Sequence, residues 1–217
     1  MKAIRQSVQN RVIHWGIALS IFGLIVTGMF EMPMAKRYKI VDIPGFAWTG
    51  DFYFNLKMHY IFAFFLVFFA FYHVVYHVLM KEFDIFPKKG DFVKSYQVIK
   101  AMITGGEEPP SEKYLPEQRL AYVAIALTIA LLIITGLIKS YKNILGCDIS
   151  NELYLWAAQL HNLGMVLIIL LIIAHLAAFI PKANRNLLSA MFSGKVDAQY
   201  AKHRHSLWKF KTDKDDK

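Results

Sequence analysis

Residues Ala157–Ile180 read AAQLHNLGMVLIILLIIAHLAAFI. No Asp, Glu, Lys or Arg interrupts this stretch. As an α-helix at about 1.5 Å per residue it is long enough to cross the roughly 30 Å hydrocarbon core of a bilayer. Its two histidines, His161 and His175, are 14 residues apart. Fourteen steps of a 3.6-residue turn return to nearly the same face, about 40° short of four turns, with a rise of about 21 Å. One helix thus presents two imidazoles on one side, one near each membrane surface.

Three more stretches have the same character: Val12–Phe30, Lys57–Met80 and Arg119–Ile138, none with a charged residue between its ends. Backbone groups in hydrocarbon must pair internally, and a helix does this unaided. The expected fold is therefore an all-α, integral membrane four-helix bundle, a single membrane domain over residues 1–217 whose tail from residue 181 is charged. Breakers punctuate the linkers: Pro33, Pro44 and Gly45 in the first, Pro87, Gly105-Gly106 and Pro109-Pro110 in the second, and Gly146 in the third.

Composition agrees. Hydrophobic residues make up 56% and charged residues 19% of the 217, more apolar than an ordinary soluble domain and far from a disordered chain. The lone Cys147 excludes an intramolecular disulfide framework and a self-contained iron–sulfur cluster. There is no Cys-x-x-Cys-His for covalent haem attachment. The net charge of +9 could suggest nucleic acid, but its distribution indicates topology instead. The segment before span one, the second loop with Arg119 and the tail hold 19 Lys and Arg, against six in the first and third loops with Lys57. Positive charge favours the cytoplasm, which places both termini and the second loop inside, with some of the tail touching membrane lipid. The first stretch is too long for a signal peptide, and no Ala-x-Ala follows it, so it reads as a retained span.

Six of the eight histidines lie in or at the ends of spans: His14, His59, His73, His77, His161 and His175. The other two, His203 and His205, fall in the charged tail and are expected to be solvated. Intramembrane ionisable groups point to function, and neutral imidazole is a common axial ligand of haem iron. Two histidines on one helix face, one per leaflet, suit two stacked haems. Bis-histidine ligation suits electron transfer. By depth, His59 matches His161 at the outer side. His175 at the inner side has His14, His73 and His77 as candidate partners. His73 lies 14 residues after His59, so His14 and His73 are nearly equal by geometry. His77 reads as an interfacial polar residue. Gly16, Gly23, Gly28 and Gly164 allow close approach of a ring or of a neighbouring helix. The Phe62–Phe71 run reads as lipid-facing or packing, and Trp15 and Trp48 as interfacial.

Beyond these patterns, the run Asn10-Arg11-Val12-Ile13-His14-Trp15 resembles the opening of the cytochrome b (gamma) subunit of respiratory formate dehydrogenases. The likeness continues through His59, Lys113-Tyr114, Gln118, Arg119, Thr135-Gly136, the His161 and His175 spacing, Gly194-Lys195-Val196 and Trp208. The histidine spacing is shared with cytochrome b subunits of nickel–iron hydrogenases and thiosulfate reductases. The resemblance implies two haems b: His14 and His175 for the inner one, favouring His14 over His73, and His59 and His161 for the outer one.

It also implies a prokaryotic inner-membrane subunit of an oligomeric complex, with no nucleic acid partner. An iron–sulfur subunit on the outer side would be fed by a molybdenum or tungsten catalytic subunit, or by a nickel–iron one. Electrons would pass inward to a quinone, which the resemblance implies to be menaquinone. The substrate site would lie on another subunit. At the quinone site the sequence departs from the family, which has Asn and Gly where Leu115 and Glu117 stand. Tyr114, Glu117, Gln118, His73 and His175 are the candidates there. A transporter or proton channel built on membrane histidines is the competing class, but the spans lack Asp and Glu and show no broken-helix repeat.

Overall fold

A computed structural model describes residues 1–213. Lys214–Lys217, the end of the charged tail, lie outside the described residues. In chain order the elements are β1 (Lys2–Ile4), α1 (Val8–Glu31), α2 (Met34–Arg37), α3 (Phe52–Met80), α4 (Asp91–Thr104), α5 (Pro116–Leu145), α6 (Asn151–Ala177), α7 (Lys182–Leu188), α8 (Ala190–Ser193), β2 (Lys195–Asp197) and α9 (Ala198–Arg204). Among the described residues, α1, α3, α5 and α6 are long and apolar enough to cross a membrane. They cover the four expected stretches. α3 starts five residues earlier than Lys57, and α6 ends three residues before Ile180. The chain divides into two compact units, Val12–Met80 and the pair of segments Met1–Arg11 and Lys81–Lys217.

Within Val12–Met80, aromatic rings fill the space that glycines leave. A Cβ built on Gly16 would lie 2.6 Å from the Phe69 ring, and one on Gly23 would lie 2.6 Å from Phe62. Phe62 and Phe69 are the packing members of the phenylalanine run, whereas Phe64 and Phe71 are exposed, as lipid-facing rings are. At the head of α3, fully buried Asn55 donates to the carbonyls of Asp51 (2.7 Å) and Trp48 (3.1 Å). The donors of a buried side-chain amide are thereby satisfied.

In the second unit α5 and α6 form a close antiparallel hairpin. A Cβ on Gly164 would come within 2.9 Å of Leu132, so the helices approach as small residues allow in lipid. α4 is held to the first turn of α5 by Arg119, whose Nε and Nη2 donate to Asp91 at 2.7 and 2.8 Å. β1 pairs antiparallel with β2, Ala3 opposite Val196. Ala3, Leu187, Ala190, Val196 and Ala201 make the core beneath, with Phe179, Tyr200, Trp208 and Phe210 packed on it. The start of the chain and the region after Pro181 therefore share one cap, and α4, from the second linker, is anchored by Asp91 within the same unit. These same three segments carry the excess of Lys and Arg.

Two expectations change here. The second linker is not simply a polar loop, because it contains α4, bracketed by Gly90 and Gly105 at φ of 89° and 72°. His205, expected to be solvated, is fully buried. Its neighbours in sequence are charged, but long-range contacts enclose it. His205 Nδ1 donates to the Glu112 carbonyl at 2.7 Å, Arg5 Nη1 donates to Nε2 at 3.3 Å, and the Trp208 ring lies 6.1 Å away. His203 is exposed. Burial, with help from Arg5 and against the Glu112 hydrogen bond, lowers the His205 pKa to about 4.

A histidine whose folded pKa lies below its unfolded value binds fewer protons folded than unfolded. Its stabilisation is thus complete above the ordinary value near 6.5 and is lost as pH falls from there toward 4. The facing groups, Arg5, Arg204 and Tyr200, do not titrate in that window. The cap is expected to weaken by on the order of 3 kcal/mol between pH 7 and pH 4, read as loss of native Trp208 fluorescence. His205→Gln should remove this part of the pH dependence.

Candidate functional site

Each of the six span histidines sits on a spanning helix. His14 is on the second turn of α1, with its ring edge-on to Trp15 at 5.4 Å. His59 and His73 are on α3, as is His77, whose ring centroid is 4.1 Å from that of His73 and whose Nδ1 donates to the His73 carbonyl at 3.0 Å. His161 and His175 are on α6, an unbroken helix, so their shared face is a property of the fold. His175 is exposed in the last turn, with Phe179 edge-on at 6.0 Å.

Two of these histidines are held in the same way. Thr27 on α1 places its hydroxyl 2.9 Å from His59 Nδ1. Thr135 on α5 places its hydroxyl 2.9 Å from His161 Nδ1. A glycine follows each threonine. A Cβ on Gly28 would lie 3.3 Å from His59 Cε1, and one on Gly136 would lie 3.4 Å from His161 Cε1. Both rings thus lie against backbone cleared of a side chain. Glu31 approaches His59 Nδ1 at 3.6 Å. Sequence reading took in Thr135-Gly136 only as part of the resemblance and missed Thr27-Gly28, although the repeated Thr-Gly dipeptide was a visible signal.

The loop candidates sort differently. Gln118 accepts from the Leu115 backbone N–H at 3.1 Å as part of a helix cap, and from Arg5 at 3.4 Å. Tyr114 accepts from Gln6 at 3.2 Å, with the Arg5 guanidinium 5.4 Å over its ring. Both are committed to holding the cap together. Glu117, on the first turn of α5, has a buried Oε2 with no hydrogen-bond partner among the described residues.

Four long apolar helices, three of them carrying histidines toward their ends, define a multi-pass membrane protein. A family model described as prokaryotic cytochrome b561 matches residues 5–194, and the chain belongs to that family. It is a multi-pass protein of the prokaryotic inner membrane and a cytochrome b electron-transfer subunit of the kind found in oxidoreductase complexes, within the superfamily of hydrogenase-type cytochrome b subunits. No curated protein matches the chain.

Haem b is the group that the family carries. His59 and His161 fit it: each is an imidazole donor, each ring is steadied at Nδ1 by a hydroxyl, and each is flanked by glycine backbone that leaves room beside the ring.

Proposed function

We propose that the chain is a di-haem cytochrome b subunit that conducts electrons from a partner iron–sulfur subunit on the outer side to a membrane quinone on the inner side. The carrying observation is the placement of His161 and His175 on one face of uninterrupted α6, about 21 Å apart by helical rise. His59 and His161 would hold the outer haem, and His14 and His175 the inner haem. His73 is the alternative inner ligand. When bound, haem b would supply one-electron redox chemistry; the chain would supply imidazole donors at two depths of the bilayer.

The quinone, menaquinone in our reading, would be reduced near His175. Glu117 is the best-supported proton-handling group there, because its buried oxygen is uncommitted while Tyr114 and Gln118 are engaged. Inward electron flow with proton uptake from the cytoplasm would separate charge.

The complex we favour is a formate dehydrogenase, on the residues around His14 and before α5. The family match favours a second reading, the equivalent subunit of a nickel–iron hydrogenase. In both, an iron–sulfur subunit and a catalytic subunit complete an oligomeric assembly. The test is a reduced-minus-oxidised spectrum with haem quantification on purified protein. Two haems b per chain are expected. One or none would overturn the di-haem reading, and a colourless protein that passes ions in liposomes would favour a transporter. Co-purification with a molybdopterin or a nickel–iron subunit separates the two complexes.

A further inference from the structure

The two hairpins of spanning helices repeat a pattern. On α1, Ser20 and Thr27 are buried, seven residues apart, and donate to the carbonyls of Gly16 and Gly23, both at 2.7 Å. On α5, Thr128 and Thr135 are buried, again seven apart, and donate to Ala124 (2.8 Å) and Leu131 (2.7 Å). The next spanning helix in each case carries a histidine at the threonine, a buried aliphatic residue seven positions on (Leu66 or Ile168), and a second histidine 14 positions on.

We infer that Thr27 and Thr135 are positioning residues that set the tautomer and electron donation of His59 and His161. The inference rests on the reading in which these two histidines ligate the outer haem. A threonine hydroxyl has one proton. In both threonines it is given to the carbonyl four residues back, at 2.7 Å. Toward the imidazole, 2.9 Å away, the oxygen can therefore only accept. The proton of each neutral ring is then on Nδ1, and the lone pair is on Nε2. An acceptor at the far nitrogen orients a metal-bound imidazole and makes it a stronger donor.

The two clasps are unequal. Glu31, four residues after Thr27, stands 3.6 Å from His59 Nδ1, beyond hydrogen-bond range but able to take the proton's hydrogen bond after a small shift. The position four after Thr135 is Lys139, which cannot accept. His161 has the Leu132 carbonyl as its further hydrogen-bond partner instead, so the clasps differ in kind, with a carboxylate beside one and a backbone oxygen beside the other.

The test uses Thr27→Val and Thr135→Val, which keep side-chain shape and remove the acceptor, with Thr135→Ser as the conservative partner. Each protein is assayed for haem per chain, for the low-spin electron paramagnetic resonance signal of each haem, and by redox titration. Thr135→Val should weaken retention of one haem by about 10–100-fold, raise its midpoint potential and shift its signal. The other haem, unchanged, reports an intact fold. Thr27→Val should do the same, and Thr135→Ser should restore the wild-type values. Two haems with unaltered signals and potentials in both valine proteins would overturn the inference while leaving the di-haem reading standing. A wild type lacking two haems would overturn that reading itself. If Thr135→Val loses both haems, the serine variant decides: recovery supports the clasp, and failure overturns it.

Discussion

His161→Ala protein is expected to purify with one haem per chain instead of two, and with donor-to-quinone electron transfer reduced to background. On the proposed assignment the substitution removes a haem ligand, and it leaves α6 intact, since alanine is the best helix former. It leaves Thr135 without the ring it holds. The remaining haem should keep its own spectrum, because His175 lies about 21 Å along the same helix. Pyridine haemochrome quantification measures the first effect, and quinone reduction in the reconstituted complex measures the second. His77→Ala is the control, and both haems should survive it. If His161→Ala retains both haems, the assignment of outer ligands is wrong.

The second large effect concerns the fold. Asp91 and Arg119 form a bidentate pair with side chains 1% and 5% exposed. Removing one member of such a pair strands a buried charge, so Asp91→Ala should cost about 3–5 kcal/mol. Replacing both with apolar residues, as in Asp91→Leu with Arg119→Met, should recover most of that. Thermal unfolding in detergent, followed by circular dichroism, reads both. The Arg119 hydrogen bond holds the Asp91 carboxyl below its ordinary value. A carboxylate depressed in the folded state contributes its stability above the unfolded value near 3.9 and loses it as pH falls through the lower folded value. The Asp91 share of the acid weakening should therefore begin below pH 4 in the native protein, beneath the His205 window, and be absent from the double variant.

What the sequence made legible follows from the range of the forces involved. The spans were readable because bilayer thickness imposes a length and an apolar composition on one continuous segment. The histidines stood out because a titratable group in hydrocarbon is costly. α4 was obscured among the lysines and prolines of its linker, although Phe92, Tyr96, Ile99 and Ile103 recur at helical spacing. His205 was misjudged because local charge says nothing of Arg5, 200 positions away, or of Glu112, which enclose it. Thr27 was not singled out and Thr135 entered only with the resemblance, because a mid-helix hydroxyl ordinarily bonds its own backbone, as both also do. Only the fold brings an imidazole to their remaining lone pairs.

The strand pairing of residues 2–4 with 195–197 links the earliest part of this chain to be synthesised with one of the latest. At roughly 5–20 residues per second, β1 waits about 10–40 s for β2 to be made. The wait ends well only if an even number of crossings has been completed meanwhile. A molecule that has skipped one insertion strands the two edges on opposite faces of the bilayer, where they can never meet. Closure of this small ribbon is thus compatible only with an even number of crossings between its two strands.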